Sequence, residues 1–248
     1  MVDVGNNTKI ANMLHISGLT VPETSKNTKI LEKISDSKSD TIHNMKAFLA
    51  SSTDLNEVQI ATLKRLVGKE KINKILVITT AVVPYGLNPK PEWFNKSLEP
   101  LRTITSEIVE TSLEEGDFVP DELEAYDLIY VSGGNTFYLA FRLQETGWDQ
   151  RIKNFISNGG VYAGSSAGSI ILMDNISYFA SADDPTKAPG IFRGLGLFKG
   201  AIIPHADNHK CKEIMGNIEE NYRKNGYETI SLNDNQVLVI ENNTSTII

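Results

Sequence analysis

One serine in this sequence has the surroundings of a nucleophile. Ser166 lies between Gly164 and Gly168 in the pattern G-x-S-x-G, after an apolar run and before residues that favour a helix. This pattern places a serine on a sharp strand-to-helix turn, where small neighbours relieve crowding and the first free N–H groups of the helix point at the hydroxyl. It predicts a nucleophile at Ser166, with a Gly- and Ser-rich loop as the alternative. Ser165 and Ser169 are predicted to be turn and helix-start residues.

A nucleophilic serine needs a base within hydrogen-bond reach and an acid that orients the base. Of the four histidines in the chain, His15 and His43 lie in a polar N-terminal segment. His205 directly follows the apolar run 200–204, which predicts a strand that ends at this histidine. His209 lies in a polar stretch and is predicted to be a solvated surface residue. His205 is therefore the candidate base.

His205, Asp207 and His209 also raise the question of a metal site. Their H-x-D-x-H spacing has little independent support as a ligand pattern, and H-E-x-x-H is absent from the sequence. The single cysteine, Cys211, excludes a zinc cluster built on cysteines and is predicted to be a helix packing position. We predict no metal.

A second glycine-rich turn, Gly133-Gly134-Asn135-Thr136, follows the apolar run 127–131. A phosphate loop would need Gly-Lys followed by Ser or Thr, and a dinucleotide loop would need G-x-G-x-x-G; this turn has neither. Ligands of parallel α/β sheets bind beyond the carboxyl ends of the strands. If the two strands are neighbours, the backbone N–H groups of this turn face Ser166.

The elements that would position these residues alternate along the chain from residue 45 onward. The predicted strands are 45–51, 75–79, 106–111, 127–131, 161–164, 177–182 and 200–204, and the predicted helices are 55–67, 92–99, 137–143, 148–157 and 207–224. Asp54 is predicted to cap the first helix and Asp207 the last. Residues 229–232 and 237–240 predict a closing hairpin. Strands separated by helices predict an α/β fold with a parallel sheet covered on both faces.

The amino-acid composition and net charge argue against several classes of function. The chain has 248 residues, of which 40% are hydrophobic and 22% charged, as in globular proteins. A net charge of −7 argues against binding to nucleic acid or to an anionic membrane. No apolar run approaches the ~20 residues of a membrane helix, and a signal-peptide layout is absent, so a cytoplasmic location is expected. Residues 1–44 lack Phe, Tyr and Trp and are predicted to be a weakly ordered extension of a domain at 45–248.

The turn at 133–136, the segment Gly164-Ser165-Ser166-Ala167-Gly168 and the pair Pro204-His205 together resemble the peptidase E group of serine peptidases, family S51. The resemblance extends from residue 45 to about residue 240. It implies a three-layer α/β sandwich related to class I glutamine amidotransferases, with a mostly parallel central sheet. It also implies Ser166 as the nucleophile, His205 as the general base, and the N–H groups of Gly134 and Ala167 as the oxyanion hole.

The resemblance leaves two candidates for the acid that orients the base. Asp183 falls at the spacing of the family's catalytic aspartate, counted back from His205 without a gap. Asp234 matches a family glutamate that follows the last helix. Both residues are candidates for the acid, and the alternative for each is a loop carboxylate without a catalytic role.

The activity implied by the resemblance is hydrolysis of short peptides by a dipeptidase or aminopeptidase, through an acyl-enzyme and without a cofactor. Peptidase E removes N-terminal aspartate, yet segment 210–217 lacks the arginine expected after the histidine, and Lys210 or Lys212 would not form a bidentate clamp. A related serine esterase or amidase and a non-catalytic ligand-binding member of the fold are the alternatives. The expected partner is a short peptide, bound by a monomer or homodimer.

Overall fold

The computed structural model describes residues 45–69, 71–86, 89–114, 120, 122–188 and 190–248. The strands in this part of the chain are β1 (Lys46–Ala50), β2 (Ile72–Ile78), β3 (Thr105–Thr111), β4 (Leu128–Val131), β5 (Val161–Ser165), β6 (Ala201–Ile203), β7 (Thr229–Ser231), β8 (Val237–Glu241) and β9 (Thr244–Ile247). The α-helices are α1 (Glu57–Val67), α2 (Glu92–Ser97), α3 (Glu99–Arg102), α4 (Thr136–Glu145), α5 (Trp148–Ser157), α6 (Ala167–Ile170) and α7 (Lys212–Lys224).

A seven-stranded sheet forms the centre of the fold, in the order β3-β2-β4-β5-β1-β8-β9. The pairs from β3 to β1 are parallel, whereas β8 and β9 are antiparallel additions at one edge. Side chains of β2 alternate between two hydrophobic cores: Ile75 packs with α1 and α2, and Leu76 packs with α4 and α5. Helices therefore cover both faces, which confirms the predicted α/β fold with a mostly parallel sheet.

The predicted closing hairpin is wrong. Strand β7 pairs in parallel with β6, in the register Ile203↔Ser231, and the two strands form a separate small sheet. The hairpin partner of β8 is β9, which the sequence analysis did not identify. Its turn residues, Asn242 and Asn243, both have positive φ, as a two-residue type I′ turn requires. The Asn-Asn pair was the available signal for this hairpin.

Residues 177–182 do not form the predicted strand; Ser177–Ser181 is a 3-10 helix. A strand would direct successive side chains to opposite faces of a sheet. Here the rings of both Tyr178 and Phe179 contact Tyr222 of α7, with centroids at 4.7 and 6.0 Å. The 3-10 turn lets the adjacent rings of Tyr178 and Phe179 both contact Tyr222 of α7, which an extended strand would not allow.

Both predicted helix caps are also wrong. Asn56, not Asp54, caps α1, in a reciprocal capping box with Gln59. Helix α7 begins at Lys212, several residues after Asp207. The carboxylate of Asp207 accepts a hydrogen bond from the backbone N–H of Asp234 instead.

The predicted N-terminal extension, residues 1–44, lies outside the described residues. Of the helices that the structure does describe, none combines the length and the apolar character needed to cross a bilayer.

Candidate active site

Ser166 lies on the strand-to-helix turn between β5 and α6. Its backbone has φ 49° and ψ −112°, a conformation that non-glycine residues rarely adopt. The flanking glycines make room for this turn: a Cβ on Gly164 would lie 2.3 Å from the carbonyl oxygen of Gly168, and a Cβ on Gly168 would lie 2.0 Å from that of Val131. The G-x-S-x-G pattern therefore reflects backbone crowding on both sides of a partly exposed serine.

His205 and Asp234 reach this serine from the small sheet. His205 lies two residues after β6 and Asp234 three residues after β7. Because β6 and β7 are adjacent and parallel, both side chains emerge at the same end of the small sheet. The Oγ atom of Ser166 lies 3.1 Å from Nε2 of His205, and Nδ1 of His205 lies 2.5 Å from Oδ1 of Asp234.

The partners of the imidazole indicate where its proton lies. An ionised carboxylate only accepts hydrogen bonds, so Nδ1 of His205 is the donor to Asp234. Nε2 is then the free acceptor for the hydroxyl proton of Ser166. This arrangement lets the histidine remove a proton from the serine while the carboxylate stabilises the resulting imidazolium.

Further hydrogen bonds hold the carboxylate of Asp234 in place. Its second oxygen, Oδ2, accepts from Nδ2 of Asn208 at 2.8 Å. Its backbone N–H donates to Oδ1 of Asp207 at 2.8 Å. Residues 207 and 208 thus fix both the side chain and the backbone of Asp234.

The structure separates the two candidate acids. Oδ2 of Asp183 accepts a hydrogen bond from the backbone N–H of Thr136, the first residue of α4, at 2.9 Å. Asp183 and His205 both lie in the described part of the chain, and no hydrogen bond joins them. Burial raises the pKa of Asp183 above its ordinary value, although the bond from Thr136 and the charge of His205 offset part of this rise. Asp234, not Asp183, therefore lies where a carboxylate that orients His205 has to lie.

Ser51, which the sequence analysis did not single out, connects the large sheet to the small one. This fully buried residue follows β1, and its Oγ atom accepts the backbone N–H of His205 at 2.7 Å. The same hydroxyl donates to the carbonyl of Leu232 at 3.2 Å. A serine at the end of the predicted strand 45–51 was the only signal for this role; for Asn208 the sequence offered none.

The turn at 133–136 contacts the nucleophile, because β4 and β5 are adjacent. A Cβ on Gly133 would lie 3.2 Å from Cβ of Ser166, and one on Gly134 would lie 2.1 Å from the carbonyl oxygen of Ala81. Gly134 also has φ 137°, which side chains disfavour. Among the described residues, the amide N–H groups of Gly134 and Ala167 have no protein acceptor. Both are therefore free to bind a substrate oxygen.

The remaining polar candidates lie outside this chain of contacts. Ser165 is the last residue of β5, and its hydroxyl accepts from that of Tyr130 at 2.8 Å. Burial raises the pKa of Tyr130 to about 12, so this donor stays protonated. His209 is exposed, and Cys211 precedes α7, with Sγ 3.9 Å from the carbonyl oxygen of His205. Within the described ranges, no cluster of His, Cys, Asp or Glu could hold a metal ion.

The sequence matches a known peptidase family and several individual peptidases. The model of the family described as "Peptidase family S51" matches residues 47–248. An uncharacterized peptidase of Listeria innocua is 35% identical over 152 residues, which cover 58% of this chain and 72% of that protein. A peptidase E of Haemophilus influenzae Rd is 32% identical over 144 residues, which cover 57% of this chain and 64% of the relative, slightly less than two thirds.

Solved structures have the same architecture. A Listeria monocytogenes EGD-e protein assigned to peptidase E superposes with a TM-score of 0.66 at 26% identity, covering 83% of this chain and 98% of that one. A peptidase from an acI-B1 Actinobacterium gives a TM-score of 0.63 at 20% identity, covering 84% of this chain and 88% of that one. At that lower identity the second likeness bears on the fold alone.

Proposed function

The chain belongs to peptidase family S51, and on this premise we propose that it hydrolyses short peptides through an acyl-enzyme on Ser166. The observation that carries the proposal is the continuous series of contacts from Ser166 through His205 to Asp234, at 3.1 and 2.5 Å. A nucleophile, a base and an orienting acid in this sequence of contacts constitute the machinery of acyl transfer.

In the proposed reaction, Oγ of Ser166 attacks the scissile carbonyl carbon while its proton passes to Nε2 of His205. Asp234 stabilises the imidazolium through Nδ1. The tetrahedral intermediate collapses when the C–N bond breaks and His205 returns the proton to the leaving amine. A water molecule, deprotonated by His205, then attacks the acyl carbon; the bond to Oγ of Ser166 breaks, His205 returns the proton to Oγ, and the acid is released.

The negative charge on the carbonyl oxygen needs donors that are already in place. We assign this role to the N–H groups of Ala167, which directly follows Ser166, and of Gly134, which follows the glycine packed against Ser166; neither N–H has an acceptor among the described residues. Loss of one such donor typically lowers kcat about 10²–10³-fold. Gly134 has no side chain that would obstruct the approach of substrate to its amide.

Specificity for N-terminal aspartate is not proposed for this chain. Lys210 and Lys212 are exposed, and neither supplies a planar, bidentate partner for a carboxylate.

We also propose that the protein is located in the cytoplasm, because the chain has a single cysteine and disulfides are typical of oxidising compartments. The proposed assembly is a monomer or homodimer, to be measured by light scattering after size-exclusion chromatography.

The test is reaction with a serine-directed fluorophosphonate, followed by peptide mass spectrometry. An adduct on Ser166 in the wild type, absent in Ser166→Ala and strongly reduced in His205→Ala, supports a serine hydrolase. A dipeptide panel beside matched esters then separates a peptidase from an esterase. No adduct on Ser166, or an adduct whose rate is independent of His205, contradicts the proposal.

A further inference from the structure

Asp183 is a carboxylate that the proposed chemistry leaves without a task. It is half-buried, and its carboxylate accepts a hydrogen bond from the backbone N–H of Thr136. Among the described residues, no Lys, Arg or His forms an ion pair with it. A partly buried carboxylate without a cation is unfavourable, and such groups are concentrated at functional sites.

The position of Asp183 relates it directly to the nucleophile. One turn, residues 133–136, joins the two: Gly133 packs against Cβ of Ser166 at its start, and Thr136 binds the Asp183 carboxylate at its end. The side chain of Asn135 also donates to the backbone carbonyl of Asp184 at 3.1 Å. This second bond fixes the segment that carries Asp183 to the turn that carries the proposed oxyanion donor.

The surroundings of Asp183 suit an organic cation. Burial, and to a smaller extent the charges of Asp183 and Asp184, raises the pKa of Tyr85. Tyr85 is 53% exposed, and its ring meets that of Trp93 edge to face at 6.0 Å. The Asp183 carboxylate thus lies within electrostatic range of an exposed aromatic side chain.

We infer that Asp183 binds the free N-terminal ammonium of the substrate and so restricts the enzyme to the first residue or residues of a peptide. The inference rests on the proposed function. In an N-terminal residue the ammonium nitrogen lies about 2.5 Å from the carbonyl carbon, because two bonds separate them. A cation site on the turn that carries the oxyanion donor is therefore in the correct part of the cleft. Asp183 is a specificity-determining residue in this scheme, not the acid of the base.

The experiment compares free and N-acetylated substrates. Three dipeptides, Asp-Leu, Ala-Leu and Leu-Leu, and their N-acetyl derivatives are assayed with the wild type and Asp183→Asn. Asparagine keeps an acceptor for the Thr136 N–H and removes only the charge. Asp184→Asn is the matched control, because Asp184 is exposed and its side chain bonds to Thr186 within its own turn.

The wild type is expected to favour the free amine, and Asp183→Asn to reduce kcat/KM for the free dipeptide at least about tenfold, chiefly through KM, as for the loss of one charged hydrogen bond. The ratio of free to acetylated substrate should fall by the same factor, and Asp184→Asn should preserve it. A wild type without preference for the free amine, or an unchanged ratio in Asp183→Asn, overturns the inference.

Two further outcomes would distinguish a catalytic or structural role of Asp183 from binding of the substrate ammonium. If both substrate classes fall equally and the fluorophosphonate reaction slows as much, Asp183 acts on catalysis or folding and the inference is wrong. Loss of the thermal transition in Asp183→Asn would likewise assign it a structural role. If the wild type acquires no adduct on Ser166, the proposed function itself fails, which is a distinct result.

Discussion

The hydroxyl of Ser51 accepts the backbone N–H of His205 at 2.7 Å, although 154 residues separate them along the chain. His205 has φ 59°, a conformation that costs free energy and persists only where neighbouring contacts offset that cost. The same hydroxyl donates to Leu232, on the loop that leads to Asp234. One buried serine therefore connects the large sheet to both loops that supply the partners of Ser166.

Ser51→Ala should weaken both the fold and the site. It leaves the buried N–H of His205 without an acceptor, which costs about 1–3 kcal/mol of unfolding free energy. A small displacement of the base should also slow the fluorophosphonate reaction about tenfold or more. Urea unfolding and labelling kinetics measure the two effects. Ser157→Ala, which removes an exposed hydroxyl at the end of α5, is the control, and equal behaviour of the two variants would refute the role of Ser51.

Asn208 is expected to act as a positioning residue for Asp234. Asn208→Ala removes the donor to Oδ2 and should lower kcat severalfold with little change in KM, since the contact orients the acid and does not touch substrate. Asn208→Asp should be worse, because it sets a second carboxylate against the first. Steady-state kinetics on one dipeptide decide the matter; an Asn208→Asp enzyme as active as the wild type would contradict this prediction.

The glycines at the site are expected to tolerate no side chain. Gly168→Ala would bring a Cβ to 2.0 Å from the Val131 carbonyl, and Gly134→Ala to 2.1 Å from that of Ala81. Each should cost about 1–3 kcal/mol or more in unfolding free energy and abolish most labelling of Ser166. Gly216→Ala provides the contrast: this exposed position in α7 has open space, and alanine should stabilise the helix by about 0.5–1 kcal/mol. Thermal melts in which Gly168→Ala or Gly134→Ala is as stable as Gly216→Ala would contradict this prediction.

Asp183 should make stability depend on pH. Its pKa is raised by burial, so the ionised form disfavours the folded state. The contribution of the protonated carboxyl is fully present below the ordinary pKa and is lost as pH rises through the raised value. Asp183→Asn should therefore melt at a higher temperature than the wild type at pH 7, with the difference disappearing in acid. A melting temperature at pH 7 below that of the wild type would show that the charge stabilises the fold.

Much of the fold could be predicted because its signals are local. The G-x-S-x-G pattern, the β-branched run in β2 and the alternation of strand and helix determine a mostly parallel sheet, and the fold and the family resemblance are both confirmed. The roles of Ser166 and His205 stay predictions, although the structure brings the two side chains to 3.1 Å.

Some errors are local, namely the two helix caps and the strand predicted at 177–182, but those that bear on the site concern long-range pairing. Strand β7 has only three residues, and nothing in them indicates that its partner is β6 rather than the nearer β8. The choice between Asp183 and Asp234 depended on that pairing, because β6 and β7 carry His205 and Asp234 to the same end of the small sheet. Ser51 and Asn208 act through contacts with residues 154 and 26 positions away, which periodicity and spacing do not reveal.

The central claim is that Asp234 orients His205 to activate Ser166, and the rate of fluorophosphonate labelling in Asp234→Asn tests it most directly. The amide can donate to Nδ1, which moves the imidazole proton to Nε2 and removes the acceptor for the serine proton, so the second-order rate constant should fall by about 10³–10⁴. In Asp183→Asn the fall should be smaller than about tenfold. Labelling of Asp234→Asn at the wild-type rate, or an equal fall in Asp183→Asn, would contradict the account.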